Sequence, residues 1–176
     1  QAGGDNLSYI SCFSGIGGLE GTVAPSHICE IDPECRKVLQ SRYPNVTAVE
    51  DVKNFIGVTG DIMVGGWPCQ DLSIAGRKKG LTGSNSSLFY AFLEVADNAG
   101  AHSVIAENVT NLLKMERGRV FAEVIREFSR KGFRYIAWRT LNARNFGLPH
   151  HRNRIYFVAS KHPELSLTLF REFPKF

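Results

Sequence analysis

The chain has 176 residues, of which 43% are hydrophobic and 22% charged, and its formal net charge is +4 at pH 7. This length and composition are typical of one globular domain with a full core, able to bury about 70% of its unfolded surface. They exclude a membrane-spanning chain, because no apolar run reaches the roughly 18 residues that a bilayer requires. The positive charge is compatible with a polyanionic partner but does not require one.

The N-terminus and the cysteines indicate an intracellular protein. Residues 1–7 lack the basic and apolar parts of a secretion signal, and we interpret them as a loose leader. No C-x-x-C spacing occurs among the four cysteines, so no metal site is expected. Without a secretion signal we expect reduced thiols and a location in the cytoplasm, for a bacterium or phage, or in the nucleus, for a eukaryote.

Strand and helix patterns alternate along the chain. Strands are predicted over residues 8–13, 27–31, 46–49, 61–64, 103–109, 133–141 and 155–159. Helices are predicted over residues 33–43, 88–99 and 117–131, and a short helical stretch is predicted to begin at Leu19. This alternation predicts an α/β fold with helices on both faces of a sheet. We expect one domain over residues 8–160, followed by a tail or connection over residues 161–176.

A glycine turn over residues 14–18 follows the first predicted strand. Such a turn offers backbone N–H groups to a ligand. It is not the dinucleotide fingerprint, because Glu20 stands where the third glycine would be, and it lacks the Lys-Ser or Lys-Thr of a phosphate loop. The alternative interpretation is an ordinary glycine turn that binds no ligand.

Acidic residues stand at the ends of the next two predicted strands. Glu30 could accept hydrogen bonds from two ribose hydroxyls, and Asp51 could accept one from an adenine amino group. A solvated carboxylate at a strand end is an equally good interpretation of Glu30.

The stretch Gly-Gly-Trp-Pro-Cys-Gln over residues 65–70 has the features of a nucleophile turn. Its glycines permit a sharp turn, while Pro68 fixes its own φ and favours an extended Trp67. Cys69 would therefore lie on a stiff turn at the carboxyl end of a strand, where α/β sheets bind ligands. The alternative interpretation is that Cys69 is a small buried side chain in a tight turn, without a chemical role.

Residues 70–87 read as a long loop that contains Arg77, Lys78 and Lys79. Long loops in compact domains are usually functional or disordered. The glycines of this loop suit a moving lid and its cations suit phosphates. A solvated loop without function is the alternative.

Charged residues also mark the fifth and seventh predicted strands. Glu107 follows an apolar run, where a carboxylate is costly unless it is paired or protonated, so it is either functional or a structural hydrogen-bonding group. Arg152 and Arg154 open the seventh strand with their side chains on one face, which suits a grip on a hydrogen-bond acceptor.

These segments together resemble the cytosine-C5 DNA methyltransferases. Residues 13–18, 65–70, 107–109 and 150–154 stand in the order and spacing of that family, and the match covers nearly the whole chain. The succession of Pro-Cys-Gln and Glu-Asn-Val is highly specific. The resemblance implies the Rossmann-like fold of S-adenosylmethionine-dependent methyltransferases, with a mostly parallel seven-stranded sheet.

The resemblance also implies a role for each matching residue. Cys69 would be the nucleophile, Glu107 would hold the cytosine, and Arg154 would lie near the base carbonyl with Arg152 beside it. S-adenosylmethionine would be bound by Phe13, Gly15, Ile16, Gly17, Glu30, Ile31, Asp51, Val52, Pro68 and Leu88. Double-stranded DNA would be contacted by Gln70, Ser73, Arg77, Lys78 and Lys79.

The implied reaction requires these residue types. Cytosine C5 becomes nucleophilic once a thiolate adds to C6, and a protonated Glu107 would donate to N3. Nearby arginines would lower the pKa of the Cys69 thiol from about 8.5. Methyl transfer and loss of the C5 proton then release the thiol. Because the target ring lies inside the duplex, the base must first be flipped out.

The chain departs from the family pattern at three points. His150 stands where glutamine is usual, and Asn145 stands where aspartate is frequent. The DNA-recognition domain and the final Asn-Ser block that completes the cofactor pocket are missing. We therefore expect a catalytic core of a restriction-modification type of enzyme that requires a second polypeptide or segment for activity.

Two other functions fit the same sequence. A tRNA cytosine-C5 methyltransferase would share this core, because the segment that selects the polymer is missing. A non-catalytic partner of another methyltransferase would keep the fold, but it would not need Cys69, Glu107 and Arg154.

Overall fold

The computed structural model describes residues 7–68 and 88–163. The strands are β1 Tyr9–Cys12, β2 His27–Cys29, β3 Ala48–Val49, β4 Ile62–Gly65, β5 Ser103–Val109, β6 Tyr135–Asn142 and β7 Asn153–Ser160. They form one sheet in the order β3-β2-β1-β4-β5-β7-β6. Neighbours from β3 to β5 are parallel, whereas β7 is antiparallel to both β5 and β6. The predicted α/β class with a mostly parallel seven-stranded sheet is confirmed.

Three α-helices connect the strands in the described part of the chain: α1 Pro33–Arg42, α2 Leu88–Asn98 and α3 Arg119–Arg130. Asp32 caps α1 by accepting hydrogen bonds from the backbone N–H groups of Glu34 and Cys35 at 2.8 and 3.1 Å. The helix predicted from residue 117 begins two residues later, because Arg117 and Gly118 adopt left-handed φ values of 58° and 86°. No described helix is long and apolar enough to cross a membrane.

The helix predicted to begin at Leu19 does not form. Residues 15–26 instead follow turns and bends, and side chains from other elements satisfy their carbonyl groups. The Tyr9 hydroxyl donates to the carbonyl of Glu20 at 3.0 Å, and the Arg42 guanidinium donates to that of Gly21 at 2.8 Å. Gly21 also has a left-handed φ of 64°. This prediction was wrong because tertiary hydrogen bonds replace the ones that a helix would make.

An aromatic core lies between one face of the sheet and helices α2 and α3. Its centre is Trp67, which is 2% exposed. The Trp67 ring lies 4.8 Å from the ring of Phe89 and 5.4 Å from the rings of Phe92 and Phe157. Aromatic rings at these separations pack favourably. The residue that precedes Pro68 is therefore an anchor, which fixes where the turn after β4 leaves the sheet.

Because of the sheet topology, each of the seven strands has one end along the same edge of the sheet, and these ends carry the site residues. Strands β1 to β5 end at this edge, because they are parallel. The antiparallel β7 begins there, with Arg154 opposite Val109, and β6 ends there, with Asn142 opposite Asn153. We call this the carboxyl edge, and ligands of open α/β sheets bind at such an edge.

Candidate active site

Two glycines allow the turn after β4 to pass between its neighbouring strands. A Cβ atom at Gly65 would lie 2.2 Å from the carbonyl oxygen of Cys12. A Cβ atom at Gly66 would lie 2.7 Å from the carbonyl oxygen of Glu107 and 3.2 Å from its Oε2. Any larger residue would separate the strands, so the glycines serve close backbone approach.

A buried amide ties this turn to β5. The Nδ2 atom of Asn108 donates to the carbonyl oxygen of Trp67 at 2.9 Å, and its Oδ1 accepts from the N–H group of Val109 at 2.9 Å. Asn108 therefore fixes the backbone immediately before Pro68. We did not single it out from the sequence, although its place next to Glu107 in a specific motif was a signal.

The predicted nucleophile and the predicted DNA-binding residues lie outside the described residues. These are Cys69, Gln70, Ser73, Arg77, Lys78 and Lys79. Their roles stay predictions. The described chain leads to Pro68, which is the residue before Cys69.

Glu107 and the two arginines form an ion-pair cluster at the carboxyl edge. The Nε atom of Arg154 lies 2.8 Å from Glu107 Oε1, and a terminal nitrogen of Arg152 lies 3.6 Å from the same oxygen. The side chains of Glu107 and Arg154 are 21% and 23% exposed, whereas that of Arg152 is 53% exposed. The structure thus brings together all three described catalytic candidates.

Tyr156 joins this cluster, although it was not predicted as a site residue. It stands directly opposite Glu107 in the antiparallel pair of β5 and β7, so both side chains lie on the same face. Burial and the charge of Glu107 raise the pKa of the Tyr156 phenol, while Arg152 and Arg154 act in the opposite direction. The phenol is therefore neutral at physiological pH.

A cavity of about 260 Å³, the Glu30 cavity, lies beside β2 and β3. Its lining includes seven predicted cofactor residues: Phe13, Glu30, Ile31, Asp51, Val52, Pro68 and Leu88. A second cavity of about 330 Å³, the Glu107 cavity, is lined by Glu107, Arg152 and Tyr156 together with residues of the glycine turn. Phe13 and Gly66 line both cavities, so a ligand in one borders the other.

The buried carboxylate of Glu30 holds the backbone around the Glu30 cavity. Its Oε2 accepts from the N–H group of Gly15 at 2.6 Å, and its Oε1 accepts from that of Asp32 at 2.9 Å. Each carboxylate oxygen can accept a second hydrogen bond, so both remain able to bind hydroxyl groups. Asp51 also lines the cavity, and its carboxylate caps the following 3-10 turn, Val52–Asn54, through the N–H group of Lys53 at 2.9 Å.

The remaining predicted residues of the glycine turn lie next to the cavities without lining them. Gly15 reaches the Glu30 cavity through its hydrogen bond to Glu30. Gly17 has a left-handed φ of 88°, while Ile16 is exposed. The residues at this turn therefore shape the rim of the cavity more than its walls.

A buried network under the glycine turn was also missed. The hydroxyl groups of Ser11 and Ser14 lie 2.6 Å apart, and Ser11 donates to Oε1 of Glu20. The Oε2 atom of Glu20 is buried and has no hydrogen-bond partner among the described residues. The sequence feature that indicated this network was Glu20, a charged residue two positions after the turn.

The sequence is similar to those of known DNA methyltransferases. The family model of the C-5 cytosine-specific DNA methylases matches residues 7–175. Type II methyltransferase M2.BsuMI of Bacillus subtilis is 35% identical over 164 residues, which cover 88% of this chain and 42% of that protein. Type II methyltransferase M.AquIA of Picosynechococcus is 27% identical over 176 residues, which cover 86% of this chain and 71% of that protein.

A solved structure supports the fold. It is a prophage-encoded E. coli protein assigned as a DNA modification methyltransferase, with a TM-score of 0.68 and 24% identity over 88% of this chain and 47% of that chain. The chain thus spans less than half the length of M2.BsuMI and of this structural neighbour. Because the family model covers almost every residue, the chain belongs to the C-5 cytosine-specific DNA methylase family.

Proposed function

We propose that the chain is the catalytic core of a DNA cytosine-C5 methyltransferase that uses S-adenosylmethionine. The observation that carries this proposal is the cluster of Glu107, Arg152 and Arg154 against the Gly66 turn, which leads directly to Pro68 and Cys69. The Glu30 cavity, which has the acceptors for an adenosine, shares the wall residues Phe13 and Gly66 with the Glu107 cavity. We therefore expect Cys69, the residue after Pro68, to lie between a cofactor cavity and an acidic group.

The residues of the Glu30 cavity fit the cofactor chemically. Glu30 would accept hydrogen bonds from the two ribose hydroxyls with the lone pairs that Gly15 and Asp32 leave available. Asp51 and Val52 would flank the adenine amino group, with Phe13, Ile31, Pro68 and Leu88 as apolar walls. Gly15, Ile16 and Gly17 would line the path of the amino-acid end. S-adenosylmethionine supplies an electrophilic methyl group when it is bound.

The Glu107 cluster would act on the base. Arg154 and Arg152 approach Oε1 of Glu107, while Oε2 lies on the Gly66 side, next to the turn. A proton carried on Glu107 would be donated to cytosine N3 as the Cys69 thiolate adds to C6, which neutralises the charge that attack creates. Arg154 would contact the base carbonyl. C5 would then take up the methyl group, a base would remove the C5 proton, and the C6–S bond would break, which regenerates the Cys69 thiolate as the N3 proton returns to Glu107.

The DNA partner and the need for a further segment belong to the same proposal. We assign residues 8–160 to the catalytic domain and residues 161–176 to a connection, and Gln70, Ser73, Arg77, Lys78 and Lys79 to DNA contact. The short match to M2.BsuMI supports a recognition segment beyond this core, in the same chain or in a second polypeptide. M.AquIA, of which the match covers 71%, shows that a relative need not be much longer than this core. The bacterial origin of these relatives supports a cytoplasmic location.

Covalent trapping tests the proposal. A duplex that contains 5-fluorocytosine should form a stable adduct with the chain in the presence of S-adenosylmethionine, supplemented with the recognition segment where one is required. Cys69→Ser should abolish the adduct, whereas Cys35→Ser on helix α1 should not. An adduct that survives Cys69→Ser would refute the mechanism. Trapping by tRNA and not by duplex DNA would instead identify the RNA-modifying alternative.

A further inference from the structure

The loop between β6 and β7 is the most basic described segment at the carboxyl edge. Residues 143–154 contain three arginines and two histidines and no acidic residue. The loop proper, residues 143–152, is called the basic loop below. It begins where β6 ends beside β7, so it stands at the same edge as Glu107 and the two cavities.

Backbone hydrogen bonds give the basic loop a defined shape. The N–H group of Ala143 donates to the carbonyl of Arg152 at 2.9 Å, which closes the base of the loop. Asn142 caps the 3-10 turn Ala143–Phe146 by accepting from the N–H group of Arg144 at 3.0 Å. Gly147 ends the turn in a left-handed conformation. None of these bonds uses the side chains of Arg144, His150 or His151, and these three groups are exposed.

The exposed side chains of the basic loop suit a nucleic acid. Arg144, His150 and His151 are exposed, and so are the apolar side chains of Phe146 and Leu148. Cationic groups bind phosphates, and apolar rings pack against sugars and bases. A cavity of about 240 Å³ lies between Phe146 and the two active-site arginines. Arg152 lines this cavity and also the Glu107 cavity, so the basic loop directly borders the place of the base.

We propose that the basic loop binds the phosphates that flank the target cytosine of duplex DNA, with Arg144 as its main contact. This inference rests on the proposed function, because a strand that delivers a base to Glu107 must pass over Arg152. Through this contact, the basic loop binds DNA phosphates on the β7 side of the site. It is independent of the cations predicted at residues 77–79.

The salt dependence of DNA binding tests this proposal. Binding of a cytosine-containing duplex to the full 176-residue chain is measured by fluorescence anisotropy between about 50 and 200 mM salt. Arg144→Gln should weaken binding and reduce the slope of log affinity against log salt by about 0.9, the value for one phosphate contact. Arg144→Lys should restore most of the slope, because it keeps the charge. Adding His150→Gln and His151→Gln to Arg144→Gln should weaken binding further.

Arg134→Gln is the matched control, because Arg134 is exposed and precedes β6 at the opposite edge of the sheet. An equal loss of slope in Arg134→Gln and Arg144→Gln, or no loss in Arg144→Gln, would overturn the proposal. So would an effect of Arg144→Gln on a structured RNA and not on the duplex. Trapping through Cys69 at saturating duplex should persist in Arg144→Gln. Absence of trapping in the parent chain, even when the recognition segment is supplied, would refute the proposed function and leave the binding result valid.

Discussion

The first four strands and the last three strands carry their functional groups in different ways. Around β1 to β4, the site consists of backbone turns, close glycine contacts and the buried carboxylate of Glu30, whose two oxygens accept hydrogen bonds from backbone N–H groups. Around β5 to β7, it consists of partly exposed charged side chains that pair with one another across β5 and β7. The part of the site around β1 to β4, called the first half below, is fixed by the fold. The part around β5 to β7, the second half, can exchange its ion pairs for contacts with a ligand.

This difference follows from what each half would bind. A cofactor of constant shape is held well by a preformed backbone, because little ordering is required on binding. A base that must enter and leave is better received by side chains that can change partners. Asn108 connects the halves, since it lies on β5 and holds the carbonyl of Trp67 after β4. Substitutions in the first half should therefore affect stability and cofactor binding, and those in the second half should affect base-dependent steps.

The largest effect is expected where the backbone of the first half is most crowded. Gly65→Ala would place a methyl group 2.2 Å from the Cys12 carbonyl oxygen and 2.9 Å from the Phe92 ring. Relief of this overlap must shift β4 against β1, and we expect a loss of about 3 kcal/mol in the free energy of unfolding. Gly18→Ala is the control, because a Cβ there meets nothing within 4 Å. Equal stability of the two variants in urea unfolding would contradict the crowding.

Cofactor binding should depend on Glu30 and not on the predicted nucleophile Cys69. Glu30→Ala removes the acceptors of two ribose hydroxyls and should weaken binding of S-adenosylhomocysteine by about 1–3 kcal/mol, roughly 5- to 150-fold. Glu50→Ala is a control in the same cavity, because the Glu50 side chain is 72% exposed. Cys69→Ala should bind as the parent does. Calorimetry that ranks Glu50→Ala or Cys69→Ala as the weaker binder would mean that the cavity is misassigned.

The positions of the functional groups at strand ends could be predicted from the sequence, whereas most of their contacts could not. Strand-end positions of Glu30, Asp51 and Glu107 follow from periodicity and are confirmed, because a short apolar run between turns defines where a strand ends. The hydrogen bond from Gly15 to Glu30 joins residues far apart in the chain, so no local pattern indicates it.

The wrong helix from Leu19 and the unpredicted role of Trp67 in the core have the same origin, which is contacts between distant residues. The helix predicted from Leu19 is replaced by turns whose carbonyl groups accept from Tyr9 and Arg42. Trp67 was predicted to be extended, but its role as the centre of the aromatic core depends on rings from α2, α3 and β7. Local propensity cannot report such contacts, because tertiary packing overrides it.

The link between the halves gives a smaller effect. Asn108→Ala leaves the Trp67 carbonyl without its donor, which should cost about 1–2 kcal/mol of stability. Because Pro68 and Cys69 follow this carbonyl, the rate of covalent trapping should fall more than the affinity for S-adenosylhomocysteine. Asn111→Ala, at an exposed position beyond β5, should change neither quantity. An equal fall in trapping and cofactor affinity for Asn108→Ala would show that the two halves are not separable.

The smallest effect concerns the edge of the sheet opposite the site. Asp61 accepts hydrogen bonds from the N–H group and the hydroxyl of Ser8 at 2.7 and 2.8 Å. These bonds, with a contribution from the charge of His102, hold the pKa of the Asp61 carboxyl below its usual value. A carboxyl group with a depressed pKa stabilises the folded chain above its unfolded pKa of about 3.9, and this contribution is lost as the pH falls through the folded pKa.

Asp61→Asn should therefore lower the free energy of unfolding modestly at pH 7, and the difference from the parent should shrink below about pH 4. Urea unfolding of both proteins across this range measures the difference directly. Binding of S-adenosylhomocysteine at pH 7 should be unchanged, because Asp61 precedes β4 at the edge away from both cavities. A stability difference that is constant with pH would show that the Ser8 bonds do not depend on the charge of Asp61. A loss of cofactor affinity would show that the two edges of the first half are coupled through β4.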